Sequence, residues 1–167
     1  MITFRREHLD QELENCIHLM RGRVLDIGGV KGTKRGRFTP PRKGVEKWKY
    51  LNLDPNKAPD YCCSAENIPL NAASFDTVIM TEVIEYLDNP GKAFEEIFRV
   101  LSANGVALVS APLLMAVHGD WKVDKSRFTA IKLKEMASAA GFQSVEIRTM
   151  GGLGSVFSDL IHVAGGY

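Results

Sequence analysis

The chain has 167 residues, enough for one ordinary domain that buries its core without disulfides or metal. An apolar fraction of 45% and a charged fraction of 25% are those of a soluble globular protein, and a formal net charge of +1 argues against a general polyanion-binding surface, so no nucleic-acid partner is expected. Three cysteines, two of them adjacent at Cys62 and Cys63, make neither a disulfide framework nor a zinc spacing, and no metal site is expected.

The segment MITFRREHLDQELEN lacks the apolar core of a signal peptide, and the longest apolar run, 106–117, falls short of the roughly 18 residues of a membrane span. The expected compartment is the cytoplasm. Leu9, Leu13, Ile17 and Met20 share one face at steps of four and three, which predicts an amphipathic helix over 5–20. A first strand over 23–27 carries Asp26 at its end and runs into a turn with Gly28, Gly29 and Gly32, as a buried parallel strand does where backbone must approach a ligand closely. A second apolar strand, 50–53, ends on Asp54. Two acids at successive strand ends suit a cofactor that contains a nucleoside. The alternative for each acid is a turn or capping role. Between these strands a doubly wound fold wants a full crossover helix, yet 31–49 holds Pro40, Pro41 and eight Lys or Arg against one Glu. That stretch predicts a shortened crossover, either a solvated loop or a lid over the cofactor.

Further strands are expected at 61–63, 75–80 and 106–110, the last a continuous apolar run suited to a strand covered on both faces. Asn89-Pro90 opens a helix with the stripe Ala93, Phe94, Ile97, Val100 and Leu101, closed by Asn104-Gly105. A last helix opens at Thr129 and stops at Gly141, followed by a sixth strand over 142–148. Leu153, Phe157, Leu160, Ile161 and Ala164 then repeat at helical spacing, predicting a terminal helix, an incomplete C-terminal strand pair, and an apolar stripe that favours a homodimer. The whole chain, 1–167, reads as a single α/β domain, a Rossmann-like three-layer sandwich around a mostly parallel sheet. A Gly-x-Gly-x-x-Gly fingerprint is absent, which weakens a dinucleotide reading.

VLDIGG, then LNLD, then CSAENIPLNAASFDTVIMTEVIEYLDNPGKAFEEIFRVLSANGVALVSAPL, resembles the class I S-adenosylmethionine-dependent methyltransferases over about 22–148. His118, Asp120 and the triplet Arg127-Phe128-Thr129 are similar to a bacterial subgroup associated with polysaccharide or lipopolysaccharide gene clusters. The resemblance implies S-adenosylmethionine as cofactor and S-adenosylhomocysteine as product, with Asp26, Gly28, Gly29 and Gly32 at the methionine end and Asp54 on the ribose. It also implies Ser64, Ala65 and Glu66 around the adenine, and Thr81 and Glu82 beneath the sulfonium. Ser64 stands where relatives often carry Asp, and Val30 replaces the middle glycine of the usual run.

The expected activity is methyl transfer to oxygen or nitrogen of a small-molecule or saccharide acceptor, with His118, Asp120 and Arg127 as the catalytic candidates: His118 as base, Asp120 orienting it, Arg127 holding the acceptor. No Asn-Pro-Pro-Tyr motif follows the fourth strand, where Met80-Thr81-Glu82-Val83 stands, so base methylation is not expected. A module that binds the cofactor without catalysis, regulatory or structural, is the second reading.

Overall fold

The computed structural model describes residues 3–32, 36–114 and 123–152. Helix α1, Phe4–Asn15, opens on Thr3, whose hydroxyl accepts from the Arg6 amide, and gives way at Cys16 to a short 3₁₀ turn rather than continuing to 20. Five strands follow: β1, Gly22–Ile27; β2, Val45–Asn52; β3, Tyr61–Cys62; β4, Phe75–Thr81; and β5, Leu101–Ser110. All pair in parallel in the order β3-β2-β1-β4-β5. Helices α2, Pro90–Val100, and α3, Ala130–Ala140, follow β4 and β5.

The three-layer arrangement follows from how the strands alternate. Leu25 and Ile27 of β1, with Leu51, Val78 and Met80, face a core closed by Phe94, Ile97 and Val100 of α2 and by Ala137 of α3. Val24 and Ile79 point the other way and meet Leu9 and Leu13 of α1, together with Phe38 and Trp48. Every central strand is therefore covered on both faces, as a parallel sheet requires.

No helix joins β1 to β2 among the described residues, so the shortened crossover is seen. The chain fills that face instead with α1, the element that precedes β1. Asp10 of α1, 3% exposed, accepts from the Arg37 amide at 2.6 Å and pairs with Arg6 at 2.6 Å, tying the connection to the helix. β2 begins at Val45, earlier than expected, so the last basic residues of the stretch, Lys47 and Lys49, belong to a strand; Lys49 reaches Asp60 at 2.7 Å.

At the opposite edge of the sheet Asp76 accepts from the Arg23 amide and guanidinium and from Ser102 Oγ, joining the starts of β1, β4 and β5. The helix closure expected at Asn104-Gly105 comes earlier: α2 ends at Val100, Leu101 is already extended as the first residue of β5, and the left-handed Asn104, φ 63°, lies inside that span, where pairing shifts between Phe75 and Thr77.

The expected sixth strand over 142–148 is not formed. Its start is held to α3, with the Phe142 amide donating to Ala137 O and its ring edge-on to Phe98 at 5.2 Å, and Arg148 turns to Glu146 at 2.7 Å and Glu12 at 3.7 Å. These contacts replace a hydrogen-bonded ladder. The helical stripe expected from Leu153 to Ala164, and the homodimer argued from it, lie outside the described residues. Among the described residues, no helix is long and apolar enough to cross a membrane.

Candidate functional site

The strand order reverses between β1 and β4, because β1 leads outward to β2 and β3 while β4 leads to β5. Loops leave in opposite directions at such a point and open a crevice at the carboxyl ends of the strands. A cavity of about 530 Å³ lies there. Ile27, Leu51, Ala65 and Leu87 give it apolar walls, and Asn52, Ser64, Thr81 and Glu82 bring polar atoms to it.

Gly28 leaves β1 at φ +82°, and a Cβ there would run into the Val83 side chain, so glycine is required on both counts. Asn52 Nδ2 donates to Gly28 O at 3.2 Å and to Gly29 O at 3.1 Å, pinning the turn against the end of β2. Asp26 faces the α1 side beneath the turn, not the large cavity. Its carboxylate accepts from Trp48 Nε1 at 3.4 Å and lies against Gly29, where a Cβ would meet it. It lines a separate cleft of about 90 Å³ with Trp48 and Tyr50, and burial, with Asp26 and Asp60 nearby, pushes the Tyr50 phenol up. Gly32, at φ +75°, lines neither space.

Asp54 caps the 3₁₀ turn Pro55–Lys57, accepting from the Asn56 amide and side chain, each at 2.9 Å. It follows Leu53, which lines the cavity and is 72% exposed. Ser64 Oγ accepts from the Glu66 amide and donates to its carboxylate, both at 3.1 Å. Glu66 itself lies outside the cavity lining and accepts from the Asn89 amide, bracing this turn against the start of α2.

Glu82 follows β4 in the left-handed region, φ 55°, where a non-glycine residue costs about 1–2 kcal/mol. Its amide donates to Ser110 O, Ser110 Oγ donates to its carboxylate at 2.8 Å, and Arg5 of α1 forms an ion pair with it. These contacts hold the strained residue with its carboxylate at the cavity wall.

Three residues on, Glu85 is 0% exposed, and neither carboxylate oxygen has a hydrogen-bond partner among the described residues. Burial pushes its carboxyl up, Asp124 adds to the rise, and Arg127 and Arg5 oppose it. Its carbonyl accepts from the amides of Lys125 and Ser126, anchoring the segment that leads into α3.

Of the catalytic candidates, His118 and Asp120 lie outside the described residues. Arg127 is described and forms a two-pronged ion pair with Asp124, whose side chain is wholly buried. The guanidinium thus holds the approach to α3 together and does not line the cavity.

Arg5, Arg6 and Leu9 of α1 do line it, and sequence reading missed them, together with Asn52. A signal was available: two arginines in the first turn of a helix oppose its dipole, so something other than helix stability places them there.

Residues 42–109 match the family described as a methyltransferase domain. An uncharacterised protein of Methanocaldococcus jannaschii is 28% identical, over 77% of this chain and 68% of that protein. The chain is thus similar to methyltransferase domains over its central part.

Solved structures agree on the fold. Phosphoethanolamine N-methyltransferase 2 of Haemonchus contortus, solved with S-adenosyl-L-methionine, superposes with a TM-score of 0.66 at 18% identity over 94% of this chain. The [4+2]-cyclase SpnF superposes with a TM-score of 0.61 at 21% identity over 81% of it. The chain spans 41% of the first of those proteins and 56% of the second.

Proposed function

We propose that the chain binds S-adenosylmethionine in the 530 Å³ cavity and transfers its methyl group to oxygen or nitrogen of a small-molecule acceptor. The observation that carries this reading is the cavity's position at the strand-order reversal, with the Gly28 turn as a cradle a Cβ would fill. The residues present fit the cofactor. Ile27, Leu51, Ala65 and Leu87 offer an apolar slot for the adenine, Ser64 a hydroxyl at its edge, and Glu82 a carboxylate suited to a sulfonium. Asp54, outside the lining but next to Leu53, is assigned to the ribose hydroxyls, while Asp26 and Gly29 shape the turn, with Gly32 beyond it and Glu66 bracing the Ser64 loop.

The bound cofactor supplies an electrophilic methyl carbon. An acceptor lone pair would take that carbon while sulfur keeps the electron pair of the broken carbon–sulfur bond, and the acceptor's proton would pass to the base when the nucleophile is a hydroxyl, or to solvent after transfer when it is an amine. What this protein contributes is alignment and the exclusion of water. His118, with Asp120 orienting it, is proposed as the base when the nucleophile is a hydroxyl.

Calorimetric titration with S-adenosylhomocysteine tests the reading. Binding is expected in the parent, and about tenfold weaker binding in Asp54→Ala. No binding overturns the proposal, and equal affinity removes Asp54 from the site. The second reading is a module that binds the cofactor without catalysis, since a fold of this kind does not fix an activity: SpnF, a cyclase, shares it. Binding with no label passed from tritiated methyl donor to any acceptor pool would decide for it.

A further inference from the structure

Beyond Glu82 a second cavity, of about 340 Å³, opens between α1, the exit of β5 and the start of α3. It shares Arg5, Leu9 and Glu82 with the first, so the two meet at the Glu82 carboxylate. We infer that this second cavity receives the acceptor, and that the acceptor is an aryl or alkyl molecule with one nucleophilic hydroxyl or amine rather than a saccharide. The inference rests on the first cavity holding S-adenosylmethionine.

Its walls carry large apolar side chains that stand partly in water. Leu113 is 51% exposed, Leu114 62%, Ile147 39% and Met150 37%, and all four line this one space. Single exposed apolar residues need no explanation, but four around a cavity that opens onto a reaction site mark a surface that a ligand covers.

Of the five polar side chains in the lining, three are engaged in ion pairs, and His8 and Thr149 are the other two. Arg5 and Glu82 pair with each other, and Arg148 is held by Glu146 and Glu12. A saccharide presents several hydroxyls, and each one buried without a partner costs about 1–3 kcal/mol. An apolar body gains about 25 cal/mol for each Å² it removes from water, and its one polar group meets Glu82 at the junction, where the methyl carbon would lie.

Fluorescence titration with 2-naphthol in saturating S-adenosylhomocysteine tests this, with methyl β-glucoside as competitor. Naphthol is expected to bind the parent, to bind at least tenfold more weakly to Ala130→Trp, which fills the cavity at the start of α3, and to ignore the glucoside. Leu114→Asp, at an exposed wall position that folding tolerates, should weaken it likewise. S-adenosylhomocysteine affinity should stay at the parent value in both variants. No naphthol binding, binding untouched by both variants, or displacement by the glucoside overturns the inference. Failure of S-adenosylhomocysteine to bind the parent overturns the reading of the first cavity, and this one with it, and is seen separately.

Discussion

β1 and β4 are adjacent parallel strands, and each leaves the sheet through a residue in the left-handed region, yet they reach it by opposite means. β1 uses Gly28, at φ +82°, because the space its Cβ would fill belongs to Val83. β4 gives way to Glu82, at φ 55°, where the contacts of its carboxylate with Ser110 and Arg5 offset the backbone cost. The two turns therefore interlock: the residue after the strained glutamate is the one that makes glycine obligatory across the gap. A left-handed residue at a strand end is kept either because a Cβ has no room or because its side chain is held by partners, and here the neighbouring strands show one of each.

Substitution at Gly28 should break the comparison most severely. Gly28→Ala meets both the unfavourable φ and the Val83 side chain, so a loss on the order of 3 kcal/mol in urea unfolding is expected, with S-adenosylhomocysteine affinity lost as well. A variant as stable as the parent would show that the turn relaxes freely.

Within the β4 turn Glu82 and Glu85 differ as the two strand ends do: the first is partnered and strained, the second buried without a hydrogen-bond partner among the described residues. Because burial raises the Glu85 carboxyl in the folded state, the protonated form is favoured there. Its contribution to stability is complete below the ordinary carboxylate range and is lost as pH rises through the raised folded value. Glu85→Gln should therefore gain about 1–2 kcal/mol over the parent near pH 8 and little at pH 4, read from urea midpoints across that range. A gain independent of pH would locate the effect in packing.

The smallest effect isolates strain. Glu82→Ala and Glu82→Gly both lose the carboxylate, but only glycine accepts φ 55° without cost, so the glycine variant should be the more stable by about 1 kcal/mol. At an ordinary strand position the order is reversed. Equal stability would mean that Glu82 is unstrained.

Much of the crevice was legible because its signals are local. An apolar run ending in Asp26 and Gly28 predicts a strand delivering its end to a tight turn, and the structure has β1 and a left-handed Gly28 there. Thr129 and Gly141 bound α3 as expected, since a side-chain cap and a left-handed stop act within one helical turn. Pro40, Pro41 and the glycines around them exclude a crossover helix by backbone chemistry alone, and none is formed among the described residues. The strand expected at 142–148 failed for the converse reason: a strand needs a partner, and alternation in one segment says nothing about whether a partner lies beside it.

The sequence alone determined the fold class and the places where its parallel strands end, because strand periodicity, caps and glycine turns are written within a few residues. Only the tertiary structure decided which side chains meet. Asp26 turns to Trp48 beneath the turn while Asn52 holds the turn from β2, and Arg5 crosses from α1 to Glu82. Arg5 and Glu82 lie 77 positions apart along the chain, and no local pattern encodes a pairing that arises when a helix takes the sheet face left bare by a missing crossover.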